Sequence, residues 1–236
     1  MRLSELSSEI NICLKNNDSI IVTTNDNGIN KIKEITFDDL INCLIQAKIQ
    51  EDDQDITHEY KDSGVLGNSD NVNTIRYFTE EKTQTKIYVM HRKNNIVNIN
   101  YYDTVYKNIH LPDILFAAKI VNDKFVSSYV CCVKKTNVIE EGTKLYRFPL
   151  SNVYADTRVC WGANKVFSFN IQTIRDINKL PYIFLTAPYN DDMYACGNNM
   201  PFRKLMEKIQ KENNFDESIL EPLNMNFENW CKKLIR

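Results

Sequence analysis

Residues 150–162 read LSNVYADTRVCWG, and the reading of the whole chain turns on whether the Cys160 thiol is packing or chemistry. The cysteine follows a strand-like run and stands directly before Trp161 and Gly162. Cysteine is among the most often buried residue types, so a cysteine beside a tryptophan, taken alone, reads as core.

Upstream the pattern is a run of strands. TKIYVMHR, NIVNINYY, ILFAAKIVNDKFVSSYVCCVKK and KLYRFPLSNVY are rich in β-branched and aromatic residues from residue 84 onward. Asn122-Asp123 sits between two β-rich halves as a hairpin turn, and the glycine of NVIEEGTK offers another. An antiparallel meander is expected. Downstream of Cys160 come a mixed apolar stretch, a short run LPYIFLTAPYN, and two helices. Phe202, Leu205, Met206 and Ile209 give the first helix its stripe, with Pro201 suited to its first turn. Phe227, Trp230, Cys231 and Leu234 repeat that spacing in the second.

The N-terminal third differs in character. NNDSIIVTTNDNGINKIKEITFDDLINCLIQAKI predicts a short strand, a turn at Asn27-Gly28 and a helix opening at Thr36. Asp39 stands three residues after that cap, and Leu40, Cys43, Leu44 and Ala47 fall on one helical face. The polar, acidic QEDDQDITHEYKDSGVLGNSDNVN then reads as a solvated loop or linker. The expected division is an N-terminal α/β extension over residues 1–80 and a main α+β domain over 81–236.

Composition bounds the function. A chain of 236 residues, 43% hydrophobic and 25% charged, is long enough to bury a full core. A formal net charge of −2 provides no positive field for nucleic-acid phosphates or an anionic membrane surface. No apolar run approaches the ~20 residues of a spanning helix, and the N-terminus lacks the apolar stretch of a signal peptide, so the cytoplasm is the expected compartment.

The 7 cysteines, Cys13, Cys43, Cys131, Cys132, Cys160, Cys196 and Cys231, form no Cys-x-x-Cys pair and are odd in number. They are expected as reduced thiols, without a disulfide framework or zinc site, and no cofactor is implied. Cys131 and Cys132 are neighbours that a strand would point to opposite faces, and Cys43 and Cys231 read as helical core. All 3 histidines, His58, His91 and His110, precede Cys160. A Cys–His hydrolase would need one of them, His110 in particular, to fold back to the thiol.

The order of meander, Pro-containing segment, cysteine-bearing irregular stretch and C-terminal helices resembles that of ubiquitin-conjugating enzymes. Their His-Pro-Asn motif places its Asn eight positions before the nucleophilic Cys, as Asn152 stands before Cys160. Their acidic pair beyond the Cys is matched by Asp191 and Asp192 of APYNDDMY, 31 and 32 residues after Cys160. LPDILFAA, YRFPLSNVY, RVCWG and APYNDD are similar to stretches of the prokaryotic ubiquitin-conjugating-enzyme-like family D, a bacterial branch that takes in PRTRC-system proteins. The likeness covers roughly residues 85–200 and fades in the N-terminal third. One departure stands out: Leu150 and Ser151 occupy the places of the superfamily's His and Pro, so the loop holding Asn152 must be braced by something else.

The resemblance implies a ubiquitin-conjugating-enzyme-like fold and an acyl transfer. A ubiquitin-like protein would arrive from an adenylating activating enzyme as a thioester on Cys160 and leave to an amine. Such a cysteine needs thiolate character but no extreme pKa, a free thiol sitting near ~8.5, so a neighbouring histidine is dispensable. When the amine attacks, a side-chain amide can donate to the carbonyl oxygen, a contact worth ~3 kcal/mol in acyl transfer. Asn152 is the candidate. A carboxylate at the mouth of the site can orient the lysine and ease loss of its proton, with Asp192 favoured and Asp191 second. Trp161 reads first as packing, and its flat indole could also shape a channel for the partner's extended tail, while Gly162 would permit a positive-φ turn after the nucleophile. Two other readings stand beside this one: an inert conjugating-enzyme-like module that binds the ubiquitin-like protein or its activating enzyme, and a cysteine hydrolase.

Overall fold

Asp113–Val121 reads DILFAAKIV, apolar on both sides of the pleat, and a strand so composed must be covered on both faces. Ile114, Phe116, Ala118 and Ile120 enter one hydrophobic core, while Leu115 and Ala117 enter a second. The adjacent strand, Lys124–Val133, is divided in the same way. Val130 and Cys132 lie in the first core, Cys131 and Val133 in the second. The neighbouring cysteines therefore point to opposite faces as strand alternation requires, and both are wholly buried.

The computed structural model describes residues 9–14, 19–26, 29–36, 40, 60–62, 66–69, 72–136, 138–162, 171, 173–194, 196 and 198–235. They belong to two units, Met1–Thr57 and His58–Arg236. In the first, β1 (Glu9–Leu14), β2 (Ser19–Asp26) and β3 (Ile29–Thr36) form an antiparallel sheet in that order. Asp26 pairs with Ile29, and the turn expected at Asn27-Gly28 lies outside the described residues. Thr36 closes β3; of the helix expected from it, only Leu40 is described, in helical conformation.

The second unit is built from β4 (Lys61–Asp62), β5 (Leu66–Ser69), β6 (Val72–Glu80), β7 (Thr85–Arg92), β8 (Asn95–Tyr101), β9 (Thr104–Leu111), β10 (Asp113–Val121), β11 (Lys124–Val133), β12 (Lys144–Tyr146), α1 (Ile174–Leu185), α2 (Phe202–Glu212), β13 (Pro222–Asn226) and α3 (Phe227–Leu234). The main sheet runs β13-β12-β11-β10-β7-β6-β4, with β5 also paired to β6. Every pairing of these strands is antiparallel. Asn122 and Asp123, with φ of 49° and 59°, make the expected tight turn between β10 and β11. Residues of α1 and α2 bury the first core, and Phe227, Trp230, Cys231 and Leu234 of α3 bury the second. Among the described residues no helix is long and apolar enough to cross a membrane.

Four expectations are corrected. The strands do not form one continuous meander: β7 pairs with β10, while β8 and β9 leave the sheet as a separate hairpin. The buried face of that hairpin, Val97, Ile99, Tyr101, Tyr106, Ile109 and Leu111, closes over the first core instead. Within the stretch expected as a polar loop lie β4 and β5, and β6 follows at once. Of KLYRFPLSNVY only Lys144–Tyr146 is a strand. A third helix, α1, covers the end of the mixed apolar stretch and the first half of the run LPYIFLTAPYN: Ile177, Leu180, Pro181, Phe184 and Leu185 bury one face despite the proline inside it.

Candidate active site

The eight-residue interval from Asn152 to Cys160 is the span of a small hairpin. Val153 pairs antiparallel with Val159. The Cys160 N–H donates to the Asn152 carbonyl at 2.8 Å, and the Tyr154 N–H to the Arg158 carbonyl at 2.9 Å. Ala155, Asp156 and Thr157 form the turn, closed by Thr157 N–H on the Tyr154 carbonyl at 3.0 Å. Thr157 sits at φ 78°, the left-handed position that ends a three-residue hairpin loop. Alternation does the rest. Val153 and Val159 turn inward at 2% and 6% exposure. Asn152, Tyr154, Arg158 and Cys160 share the opposite, accessible face.

This hairpin is sewn to β11. Val130 N–H donates to the Thr157 carbonyl and Val159 N–H to the Ser128 carbonyl, both at 2.8 Å. Trp161 follows the nucleophile candidate inward. It is 4% exposed, its Nε1 donates to Ser128 Oγ at 3.0 Å, and its ring meets Phe125 and Phe184 edge-on. The indole thus supports the backbone of Cys160 from below instead of lining an open channel. Gly162 does adopt the positive φ expected of it, 55°, and a Cβ there would meet nothing within 4 Å.

Bracing of the Asn152 loop is done by other groups than a histidine. Leu150 is fully buried in the first core. Ser151 Oγ accepts from the Asn190 N–H at 3.3 Å, and Asn152 Nδ2 donates to the Pro188 carbonyl at 2.8 Å. Asn152 itself takes the left-handed conformation, φ 68°, which asparagine tolerates better than most residues. These two bonds clasp the loop that carries Asp191 and Asp192 against the hairpin that carries Cys160.

The two carboxylates have different surroundings. Asp191 Oδ1 accepts from the Tyr101 hydroxyl at 2.5 Å, and Oδ2 faces the Tyr102 hydroxyl at 3.4 Å. That bond with Asp191 is the main reason the Tyr101 phenol is raised to about 12. Phe202 stacks on the Tyr101 ring at 4.1 Å and the Arg203 guanidinium lies 4.9 Å above it. Among the described residues the Asp192 carboxylate accepts within its own turn, from the Asn190 amide at 3.0 Å, and both aspartates are exposed.

Tyr154, which the sequence reading did not single out, is the diagonal neighbour of Cys160 on the hairpin's accessible face. Its phenol is held above the ordinary tyrosine pKa, first by a hydrogen bond with the Cys160 side chain and then by burial. Arg158 lies 4.9 Å over its ring. The signal was present as a period of two across the hairpin, recognisable once Val153 and Val159 are assigned inward. His110, the distant imidazole of the hydrolase reading, pairs with Ile96 on the β8–β9 hairpin. His91 is buried on β7 with Nε2 3.7 Å from Asp113 Oδ2.

Among the described cysteines, Cys160 is partly exposed and Cys13 exposed, whereas Cys131, Cys132, Cys196 and Cys231 are buried. Burial pushes the thiols of Cys131 and Cys132 well up, and that of Cys231 to about 12. Cys43 lies outside the described residues.

The chain matches the family described as Prokaryotic E2 family D over residues 40–223. No curated protein and no solved structure matches it.

Proposed function

The chain belongs to prokaryotic E2 family D, a conjugating-enzyme-like family, and from that membership we propose that it carries a ubiquitin-like protein as a thioester on Cys160 and transfers it to an amine. In the first step the Cys160 thiolate attacks the acyl carbonyl on the activating enzyme; a new C–S bond forms and the donor thiolate departs with the old one's electrons. In the second, an amine attacks, its proton leaves, and the Cys160 thiolate is expelled. Asn152 stands across the hairpin from Cys160 with one amide N–H on Pro188, so the second N–H is the one that would meet the developing oxyanion. Asp192, whose carboxylate among the described residues is bonded to the neighbouring Asn190, is the carboxylate assigned to the incoming amine, with Asp191 behind it.

The observation that carries this reading is the accessible thiol of Cys160 facing Asn152 across the hairpin, on a loop tied to the acidic turn. An inert binding module would have no use for that arrangement. The test is to mix the protein with its activating enzyme, ATP and ubiquitin-like partner. A covalent adduct cleaved by reductant is expected. Cys160→Ser should turn it into a reductant-resistant ester or abolish it, while Cys131→Ala and Cys196→Ala should leave it intact. An adduct that persists in Cys160→Ala would transfer the role elsewhere, and no adduct with cognate partners would leave the inert module.

A further inference from the structure

The hairpin register places Tyr154 and Cys160 on one face as diagonal neighbours. Cys160 opposes Asn152, Arg158 opposes Tyr154, and the two pairs follow each other on the accessible side. Diagonal partners across an antiparallel pair lie within reach of a long aromatic side chain. Tyr154 is 40% exposed, so burial alone does not account for a tyrosine at this place. Arg158, 4.9 Å over its ring, fixes the aromatic plane and puts a positive charge beside the phenol.

We propose that Tyr154 is a further residue of the reaction centre, whose hydroxyl donates to the Cys160 sulfur in the uncharged protein and lets go when that sulfur becomes an acyl thioester. A thiolate is a charged acceptor and takes a strong hydrogen bond, whereas a neutral sulfur is a weak one. The bond therefore favours the attacking form of Cys160 and weakens once the new C–S bond has formed. The released phenol is then free to face the acyl group or the incoming amine. Arg158 makes the phenol a better donor throughout. The titratable and charged groups acting on the phenol are Cys160, Arg158 and Asp156 of the hairpin, and the Lys233 Nζ of α3 donates to the Asp156 carbonyl at 3.1 Å.

Although its purpose rests on the thioester reading, the contact itself can be tested without any partner. Iodoacetamide alkylation of the Cys160 peptide, followed by mass spectrometry from pH 6 to 10, reports the thiolate directly. Tyr154→Phe keeps the ring under Arg158 and removes only the hydroxyl. It should move the alkylation profile to higher pH and slow alkylation at pH 7 by about threefold to tenfold, the scale of one hydrogen bond to a charged group. Arg158→Gln should shift the profile the same way but less. Equal unfolding midpoints would exclude a folding cause; should Tyr154→Phe lower the midpoint, the Arg158→Gln profile decides alone. A Tyr154→Phe profile superimposable on the wild type overturns the proposal even if the thioester forms, and a shifted profile sustains it even if no thioester is found.

Discussion

Trp230 Nε1 of α3 donates to Thr157 Oγ1 at 2.9 Å, in the buried interior, three residues before Cys160. Thr157 is β-branched and holds φ 78°, a conformation that such residues rarely adopt and that costs on the order of 1–3 kcal/mol. Its carbonyl is also taken, by Val130 N–H at 2.8 Å. The last helix of the chain thus fixes the strained residue of the turn that presents the thiol.

Trp230→Phe should lower stability by about 1–3 kcal/mol, because it leaves a buried hydroxyl without its donor. For a chain of this size that is a fall in melting temperature of about 2–4 °C per kcal/mol. Thr157→Gly relieves the φ constraint but also deletes the hydroxyl, so its effect should be more favourable in the Trp230→Phe background than in the wild type. Additive effects in that cycle would show that the bond contributes nothing.

Asn152→Ala removes the amide and also puts a Cβ-bearing residue with low tolerance for positive φ at 68°. Asn152→Gly keeps the backbone and deletes the amide alone. Both should slow discharge of the charged protein to an amine more than they slow charging, and the alanine variant should be the less stable of the two. If glycine discharges at the wild-type rate, the amide acts only as the clasp on Pro188.

Asp192→Asn should slow transfer to lysine by about tenfold or more, the scale of general acid–base assistance, with little change in melting temperature. Asp191→Asn weakens the bond from the Tyr101 hydroxyl and should show the reverse balance. Single-turnover discharge rates beside thermal melts separate the two.

The Asp216 carboxylate accepts from Ser218 Oγ at 2.6 Å, Ser218 N–H at 3.0 Å and Lys208 Nζ at 3.0 Å. Those bonds, Ser218's first, hold its pKa at about 2, below the ~3.9 of an unfolded aspartate. A depressed folded pKa contributes stability that is complete above ~3.9 and lost as pH falls through about 2. Urea midpoints of wild type and Asp216→Asn should therefore differ at neutral pH and converge across that window; a constant gap down to pH 2 would refute the assignment.

Much of the candidate site's local geometry was legible because the hairpin is local. Asn152, Cys160 and the inward valines lie within nine residues, and spacing alone orders them. The acidic pair could be placed by number but not by neighbour, since the bond from Asn152 to Pro188 spans 36 residues. The β8–β9 hairpin was illegible for a related reason. Its alternation of Val97, Ile99 and Tyr101 with exposed polar residues is the same whether the strand joins the main sheet or not, and only the distant pairing of β7 with β10 decides. Helix α1 was hidden by Pro181, an interior proline that costs about 3 kcal/mol in a helix. Here the burial of Ile177, Leu180, Phe184 and Leu185 outweighs it.

In the arm from Arg158 to Trp161, accessible and buried side chains alternate one by one. Deleting or inserting a single residue there would exchange the places of Val159 and Cys160, sending the sulfur toward the core and the valine into water. Length changes in this arm are tolerable only in pairs, and the same holds between Asn152 and the turn. Among relatives of this chain, an odd interval between the asparagine and the cysteine should therefore mark a protein whose thiol has been retired from solvent, a counting rule that can be applied to bare sequence.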